Sequence, residues 1–408
     1  MQGYPEDGGA VDAPGANATA ETIVSPALQV PDPINRLPHA KGAVRAEMER
    51  GPHRSPDRRA EAGGREGVYG ALDLGTNNCR LLLARPSRRG FRVIDAFSRI
   101  IRLGEGVGQS GRLSDAAMAR TFDALKVCAG KLERARVRRS RLVATEACRI
   151  AENGPAFLAD VHTRLGLDIE VLTPETEARL AVSGSAALID AACDYVLVFD
   201  IGGGSSELIL LDLARRDRRR DRHFIDRIDA QGCMVAWTSL PVGVVTLAER
   251  FGGRHVAPED FEAMVAETQS RLLAFEAQHK LAERLKNKRV HMLGTSGTVT
   301  TVAGIHLGLQ RYDRNRVDGC WLDVRDVRAV TDDLIARTYE ERVAEPCIGR
   351  DRADLVLAGC AILEAVLRLW TCDRLRVADR GLREGILTTL MSEDGVLRTG
   401  RRRRGGRR

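Results

Sequence analysis

Two stretches of the chain repeat one pattern of hydrophobic and polar positions. In each stretch an apolar run ends at an aspartate, a glycine follows two positions later, and a second apolar run comes after the turn. Short apolar runs separated by a tight glycine turn predict β-hairpins. We call residues 73–78 the first glycine turn and residues 200–205 the second glycine turn. The matched positions are Asp73 with Asp200, Gly75 with Gly202, and residues 81–83 with residues 208–210.

After each hairpin, short apolar runs of strand length alternate with longer stretches of helical character. This alternation, given twice, predicts an α/β fold of two related halves. The predicted strands are residues 141–145, 169–172, 290–293 and 375–378, and the predicted helices are residues 114–137, 154–165, 174–189, 258–284 and 355–370.

The two halves are predicted to be unequal, and the first to be discontinuous in sequence. One lobe is expected to comprise residues 67–173 together with a returning segment, residues 381–395. The other lobe is expected to comprise residues 174–380. Residues 1–66 and 396–408 show no sustained hydrophobic period, so both are predicted to be disordered.

The positive charge of the chain is concentrated at its end. The formal charge of the 408 residues is +7, yet residues 398–408 alone contain seven arginines and no acid. Without this tail the chain is nearly balanced, which argues against a dedicated nucleic-acid-binding domain. Any contact with nucleic acid is expected to be weak and to involve the tail. A second run, residues 215–222 with six arginines, is predicted to be a solvated hairpin extension.

Cysteine placement and hydrophobicity indicate the compartment. The nine cysteines form no Cys-x-x-Cys pair and lie mostly in apolar stretches, so they are predicted to be reduced thiols. No apolar run reaches the roughly 18 residues that a membrane-spanning helix requires. We therefore expect a cytoplasmic protein without a membrane span.

Glycine turns at strand ends suit phosphate binding. Glycines let the backbone approach an anion closely and direct several N–H groups towards it. An aspartate in such a turn can hold a divalent cation that bridges to phosphate oxygens. One Asp-x-Gly is a common turn, but two in matching frames predict opposed phosphate-binding turns. The candidate phosphate-binding residues are Gly75, Thr76, Asn77, Gly202, Gly203, Gly204 and Ser205, with Gly294, Ser296, Gly297 and Thr298 of a third glycine turn.

Three further features allow two readings each. The third glycine turn follows a strand and opens a helix, whose N-terminus favours an anion, but it could equally be a glycine-rich helix start. Glu177 could direct a water molecule, or it and Glu175 could only satisfy the first turn of a helix. Arg149 could bind a phosphate through two hydrogen bonds or form a surface salt bridge.

Six sequence blocks together resemble the exopolyphosphatase and guanosine pentaphosphate phosphohydrolase (Ppx/GppA) family. They occur in the order typical of that family between residue 68 and about residue 390. The blocks are Asp-Leu-Gly-Thr-Asn (73–77), Ala-Thr-Glu-Ala-Cys-Arg (144–149), Glu-Thr-Glu-Ala-Arg-Leu (175–180), Phe-Asp-Ile-Gly-Gly-Gly-Ser-Ser-Glu (199–207), Leu-Gly-Thr-Ser-Gly-Thr (293–298) and Asp-Arg-Gly-Leu-Arg-Glu-Gly (379–385).

The resemblance implies a duplicated actin-like (ribonuclease H-like) fold with a central cleft. It implies that Glu177 is the catalytic base that activates water. It also implies that Asp73, Asp200 and Glu207 hold a divalent metal ion, Mg²⁺ or Mn²⁺, and that Arg149 contacts a substrate phosphate. The implied reaction is release of the terminal phosphate from inorganic polyphosphate, or alternatively from guanosine pentaphosphate.

The chain departs from the family pattern at two places. Thr176 stands where the family commonly has a glutamate, and Asn78-Cys79 stands where it commonly has Ser-Phe. These changes are expected to affect pH optimum or substrate fit. The chain also resembles the short form of the family, without the C-terminal HD-type domain, and family members are often homodimers.

Two other classes of protein share parts of the pattern. A kinase of the actin-like superfamily would share the glycine turns but would transfer phosphate from ATP to an acceptor. A protein that binds polyphosphate without hydrolysing it could use the arginine tail electrostatically. The blocks around Arg149 and Glu177 favour hydrolysis.

Overall fold

A computed structural model describes residues 67–87, 90–216 and 233–397. The disorder predicted for residues 1–66 lies outside the described residues. The same holds for the arginine tail from residue 398 and for most of the arginine-rich run 215–222.

Residues 67–172 contain a five-stranded mixed sheet, against which the C-terminal helix packs. The strand order is β3-β2-β1-β4-β5, with β1 antiparallel to β2 and parallel to β4. In sequence these strands are β1 (Tyr69–Leu74), β2 (Asn78–Ser87), β3 (Gly90–Ile100), β4 (Arg139–Ala144) and β5 (Ile169–Val171).

The second sheet has six strands in the order β10-β11-β9-β6-β7-β8. Read from β8, its first five strands repeat the order of the first sheet, which confirms the duplicated, two-lobed actin-like α/β fold. The strands are β6 (Tyr195–Ile201), β7 (Ser206–Asp212), β8 (Met234–Leu240), β9 (Val290–Thr295), β10 (Trp321–Asp323) and β11 (Arg374–Ala378).

Helices fill the connections between these strands. In chain order they are α1 (Val107–Ser110), α2 (Asp115–Arg134), α3 (Glu146–Ile150), α4 (Gly154–Leu165), α5 (Pro174–Ser185), α6 (Val244–Phe251), α7 (Pro258–His279), α8 (Leu281–Leu285), α9 (Gly297–His306), α10 (Arg314–Val317), α11 (Val324–Ala336), α12 (Tyr339–Ala344), α13 (Val356–Leu369) and α14 (Leu382–Glu393). Among the described helices, none is both long enough and apolar enough to cross a bilayer.

The two predicted hairpins are confirmed, and each continues into a third antiparallel strand. In the hairpin registers Asp73 lies opposite Arg80, and Asp200 lies opposite Glu207. The added strands are β3 and β8, which pattern analysis missed. Strand β3 lies at the edge of its sheet with most side chains exposed or half-buried, so it contains no continuous apolar run.

Two predicted helices end earlier than the hydrophobic pattern indicates. The helix predicted for residues 258–284 is interrupted at Lys280, whose left-handed backbone (φ 51°) separates α7 from α8. The helix predicted for residues 174–189 is α-helical only to Ser185, and a short 3₁₀ turn (Ala186–Leu188) follows.

Helix α5 packs against both sheets. Its Leu180 belongs to a core that contains Tyr69 of β1, whereas its Val182 belongs to a core that contains Val196 of β6. Helix α14 packs in the first of these cores through residues such as Ile386. A lobe boundary at residue 174 stays a prediction, because the helix that begins there contributes to both cores.

Candidate active site

The two glycine turns have the same backbone geometry and meet across the cleft. Gly75 N–H donates to the Asn78 carbonyl, and Gly202 N–H donates to the Ser205 carbonyl, each with an N···O distance of 2.9 Å. A Cβ atom built on Gly203 would lie 3.0 Å from the Cβ of Thr76. A side chain at position 203 would therefore crowd the first glycine turn, and glycine favours the close approach of the two turns.

A cavity of about 150 Å³ lies between these turns. Asn77 and Asn78 line it, and each has a buried side-chain oxygen with no hydrogen-bond partner among the described residues. Unsatisfied buried polar atoms in a cleft indicate a site for a polar ligand. The predicted site residues that line the cavity are Asp73, Gly75, Thr76, Asn77, Glu177, Asp200, Gly202, Gly203, Gly204, Ser205, Glu207, Ser296, Gly297 and Thr298.

Gly294 and Arg149 are the two predicted site residues that do not line this cavity. Gly294 lies within β9, where a Cβ atom would come within 2.7 Å of the Phe199 ring. Glycine at position 294 is therefore needed for packing against Phe199. In the third glycine turn, Ser296, Gly297 and Thr298 line the cavity.

Ser296 has a strained backbone at the start of α9. Its φ of 125° and ψ of 169° fall in a region that residues other than glycine rarely adopt, and its hydroxyl faces the N–H of Val299 at 3.5 Å. Backbone strain of this kind concentrates at functional sites, where the surrounding fold enforces it. The helix N-terminus that follows is suited to an anion in the cleft.

The structure separates Glu177 from Glu175. Glu175 is exposed and pairs with Arg179 of the next helical turn at 3.1 Å. Glu177 lines the cavity with a side chain only 14% exposed. Burial raises the pKa of Glu177 well above its ordinary value, and repulsion from Glu207 and two aspartates raises it further. A carboxylate perturbed in this way inside a cleft is typical of a catalytic group.

The departure at Thr176 is accommodated outside the cavity. The Thr176 hydroxyl lies 2.9 Å from the hydroxyl of Thr173, the N-cap residue of α5. Position 176 thus takes part in capping the helix that carries Glu177.

The Arg149 side chain is hydrogen-bonded to protein groups and does not line the cavity. Its Nη1 donates to the Leu172 carbonyl (2.7 Å) and to Glu177 Oε2 (3.3 Å), and its Nε donates to Glu146 Oε2 (3.0 Å). The phosphate contact of Arg149 stays a prediction, and in this structure the guanidinium is engaged by these three acceptors. Glu146 also lines the cavity, although its residue type alone gave no reason to select it.

The other acids of the cleft are Glu207, which is buried, and Asp73 and Asp200, which are half-buried. Burial raises the pKa of both Asp73 and Asp200, and it raises the pKa of Glu207 from 4.5 to about 7 with help from the neighbouring Asp200. Glu207 Oε1 accepts hydrogen bonds from Ser205 and Ser239, each at 2.8 Å. Ser239 lies on β8, one of the strands that the sequence pattern did not predict.

This excess of buried carboxylates fits a hard divalent cation. Oxygen ligands are those that Mg²⁺ prefers, and it commonly takes only one or two carboxylates together with water and phosphate oxygens. Across residues 67–87, 90–216 and 233–397, no three Asp, Glu, His or Cys side chains converge as a complete metal cluster. A cation here would therefore depend on water and substrate oxygens for its remaining ligands.

Glu207 is expected to make stability depend on pH. The folded protein holds a proton on Glu207 between pH 4.5 and about 7, where the unfolded chain releases it, so this contribution is present at low pH and lost as pH rises through 7. Between pH 5 and pH 8, in metal-free buffer, the unfolding free energy of the wild type should fall by about 2–3 kcal/mol more than that of Glu207→Gln. Urea denaturation at both pH values measures this difference, and parallel behaviour of the two proteins would contradict it.

A larger cavity of about 450 Å³ adjoins the first and shares Asp73, Arg80 and Arg352 with it. Its wall also includes Arg350 and Arg380. Arg80 lies opposite Asp73 in the hairpin register, but its residue type alone does not mark it as a site residue, because arginines are common on exposed strands. The combined cleft offers anion-binding groups beyond the glycine turns.

Comparison with known proteins gives a consistent result. The sequence profile of the Ppx/GppA phosphatase family matches residues 83–394. Exopolyphosphatase 2 of Mycobacterium tuberculosis (strain ATCC 25618 / H37Rv) is 28% identical over 337 residues, which cover 78% of this chain and 97% of that protein. The crystal structure of the Aquifex aeolicus member of the Ppx/GppA family superposes with a TM-score of 0.62 at 28% identity, covering 80% of this chain and 98% of that one.

A third relative is longer than this chain. The guanosine-5'-triphosphate,3'-diphosphate pyrophosphatase of Photobacterium profundum is 27% identical over 343 residues, which cover 80% of this chain. The matched region spans only 60% of that relative's length.

Proposed function

Because the chain belongs to the Ppx/GppA phosphatase family, we propose that it hydrolyses phosphoanhydride bonds and releases the terminal phosphate of inorganic polyphosphate. The observation that carries this proposal is the placement of the Glu177 carboxylate. It lines the same cavity as both glycine turns, and its raised pKa makes it a stronger base than an ordinary glutamate. A base directed at a phosphate-binding cavity is what in-line hydrolysis requires.

In the proposed mechanism the terminal phosphoryl group lies between the glycine turns, whose backbone N–H groups bind its oxygens. Glu177 accepts a proton from a water molecule as the water oxygen attacks phosphorus. The anhydride P–O bond breaks, and the shortened chain leaves with the electron pair. Fixed N–H donors stabilise the charge that develops on the phosphoryl oxygens, which supplies much of the rate in phosphoryl transfer.

A Mg²⁺ or Mn²⁺ ion would neutralise part of the phosphate charge when bound. One or two of the carboxylates of Asp73, Asp200 and Glu207 would hold it, and water and phosphate oxygens would supply its other ligands. Without such a cation, these carboxylates and Glu177 would repel a polyanion, so their number supports a metal-dependent reaction.

The adjoining cavity supports a chain as substrate. A polyphosphate whose last unit lies between the glycine turns has further units to place, and Arg80 and Arg352 extend from one cavity to the next. Guanosine pentaphosphate is the second candidate, since the Photobacterium profundum relative is named for a guanosine polyphosphate. It presents the same terminal anhydride to Glu177.

Parallel phosphate-release assays on the two purified substrates test this proposal. With Mg²⁺ present, we expect single orthophosphate units from polyphosphate with a kcat/KM at least ~10-fold above that for guanosine pentaphosphate, a margin of about 1.4 kcal/mol in transition-state binding. The opposite ranking would favour the second candidate. Tight binding of polyphosphate without turnover would indicate a binding protein, and ATP-dependent labelling of an acceptor would indicate a kinase.

A further inference from the structure

Glu146 occupies the cleft edge without a role in the mechanism above. Strand β4 is parallel to β1, so its carboxyl end brings Glu146, the first residue of α3, to the edge of the sheet where Asp73 lies. The Glu146 side chain is 13% exposed. A Cβ atom on Gly204 would lie 2.9 Å from Glu146 Cγ, so the side chain also touches the second glycine turn.

Glu146 and Glu177 both accept hydrogen bonds from the Arg149 guanidinium, but not equally. Glu146 Oε2 accepts hydrogen bonds from both Nε and Nη2 of Arg149. Glu177 receives only one longer bond, 3.3 Å from Nη1 to Oε2, because that same Nη1 donates at 2.7 Å to the Leu172 carbonyl. Arg149 is thus held mainly by Glu146 and by the backbone, and its contact with Glu177 is restricted to one oxygen.

An arginine free of other partners would bind Glu177 differently. Guanidinium and carboxylate groups prefer two parallel hydrogen bonds that occupy both carboxylate oxygens. Such a pair would occupy the oxygen that must face the attacking water and would weaken the glutamate as a base. Glu146 opposes this geometry, because it already binds Nη2, the second nitrogen that a pair extending from Nη1 would need.

We infer that Glu146 is a positioning residue for hydrolysis, which acts through Arg149 to keep one oxygen of Glu177 directed at the attacking water. This inference rests on the proposed function of Glu177 as the base. In this role Glu146 does not contact the substrate, so its substitution should change kcat and not KM.

The test is a pair of substitutions measured singly and together. Glu146→Gln should lower kcat for polyphosphate about 10-fold and change KM by less than about 2-fold, since a misplaced base slows the reaction without loosening the substrate. In a Glu177→Gln background, Glu146→Gln should have no further effect on kcat, because the group on which it acts is already absent. A residue that only supported the fold would reduce kcat by the same factor in both backgrounds.

A matched control separates this effect from a change of net charge. Glu152→Gln removes the same charge six residues away, where the side chain is 72% exposed and pairs with Arg112. It should leave kcat and KM unchanged. Thermal unfolding of each variant verifies folding, and Glu146→Asp, which keeps the charge but shortens the side chain, replaces Glu146→Gln if that variant does not fold. Lowered kcat at constant KM is also the expected result for Glu146→Asp.

Three outcomes would overturn the inference. These are an unchanged kcat in the position-146 variant, a KM that rises in step with a falling kcat, or a full additional loss in the Glu177→Gln background. With an active wild type, each of them leaves the proposed function intact. A wild type that releases no phosphate overturns the proposed function, and this inference falls with it.

Discussion

Glu177→Gln is expected to lower phosphate release by roughly 10²–10⁴-fold, the usual contribution of a general base. Glutamine has nearly the shape of glutamate but cannot accept the proton of the attacking water. The fold should be retained, because the substitution removes a buried charge that Glu207 and the neighbouring aspartates repel. Initial rates of orthophosphate release, measured with thermal unfolding of the same samples, check both parts of the expectation.

Glu175→Gln is the matched control for this substitution. Glu175 lies in the same first turn of α5 but is exposed and pairs with Arg179. An exposed pair of this kind contributes little, so activity and stability should stay close to wild type. If Glu177→Gln retains activity within a few-fold of wild type, Glu177 is not the base.

The second large effect is expected on stability, from Gly385→Ala. Helices α5 and α14 are in backbone contact through two glycines. A Cβ atom on Gly385 would lie 2.1 Å from the Leu180 carbonyl oxygen, and one on Gly184 would lie 1.9 Å from the Gly381 carbonyl oxygen. Because backbone atoms cannot move aside as side chains do, the helices must separate. We expect a loss of about 3 kcal/mol in unfolding free energy, at the upper end of overpacking costs.

Gly130→Ala provides the control for that measurement. Gly130 lies inside α2, where an added Cβ atom would meet only the guanidinium of Arg134, at 3.1 Å. That flexible side chain can move, so alanine should stabilise the helix by about 0.5–1 kcal/mol. Urea denaturation of both variants measures the two changes. Equal responses would show that α5 and α14 are less closely packed than described.

An ion pair joins two segments that are far apart in the chain and lie next to the cleft. Arg102, which follows β3, binds Asp354, which precedes α13, through two hydrogen bonds of 2.7 and 2.9 Å. The segment just before Asp354 contains Arg350 and Arg352, which line the larger cavity. The segment that contacts Arg102 therefore also forms part of the wall of the larger cavity.

Local pattern was sufficient for the elements that depend on neighbouring residues. The hairpins around Asp73 and Asp200 were predicted correctly because a buried strand and a glycine turn each require their residue types within a few positions. The start of α5 was predicted correctly because Pro174 and the capping residue Thr173 act locally. Strands β3 and β8 were missed. Strand β3 has no continuous apolar run, whereas β8 contains one (residues 234–237) that was not assigned to a strand.

The sequence by itself determined the duplicated architecture and the facing of two glycine turns, because periodicity and turn chemistry are encoded over short distances. Only the tertiary structure decided which residues from different elements come into contact. It placed Arg149 between Glu146 and Glu177, put Gly294 beneath Phe199, and brought Ser239 to Glu207. The physical reason is that hydrogen bonds and burial act over a few ångströms in space. Most of these partners come from elements that are far apart along the chain, so a local sequence pattern does not show that they meet.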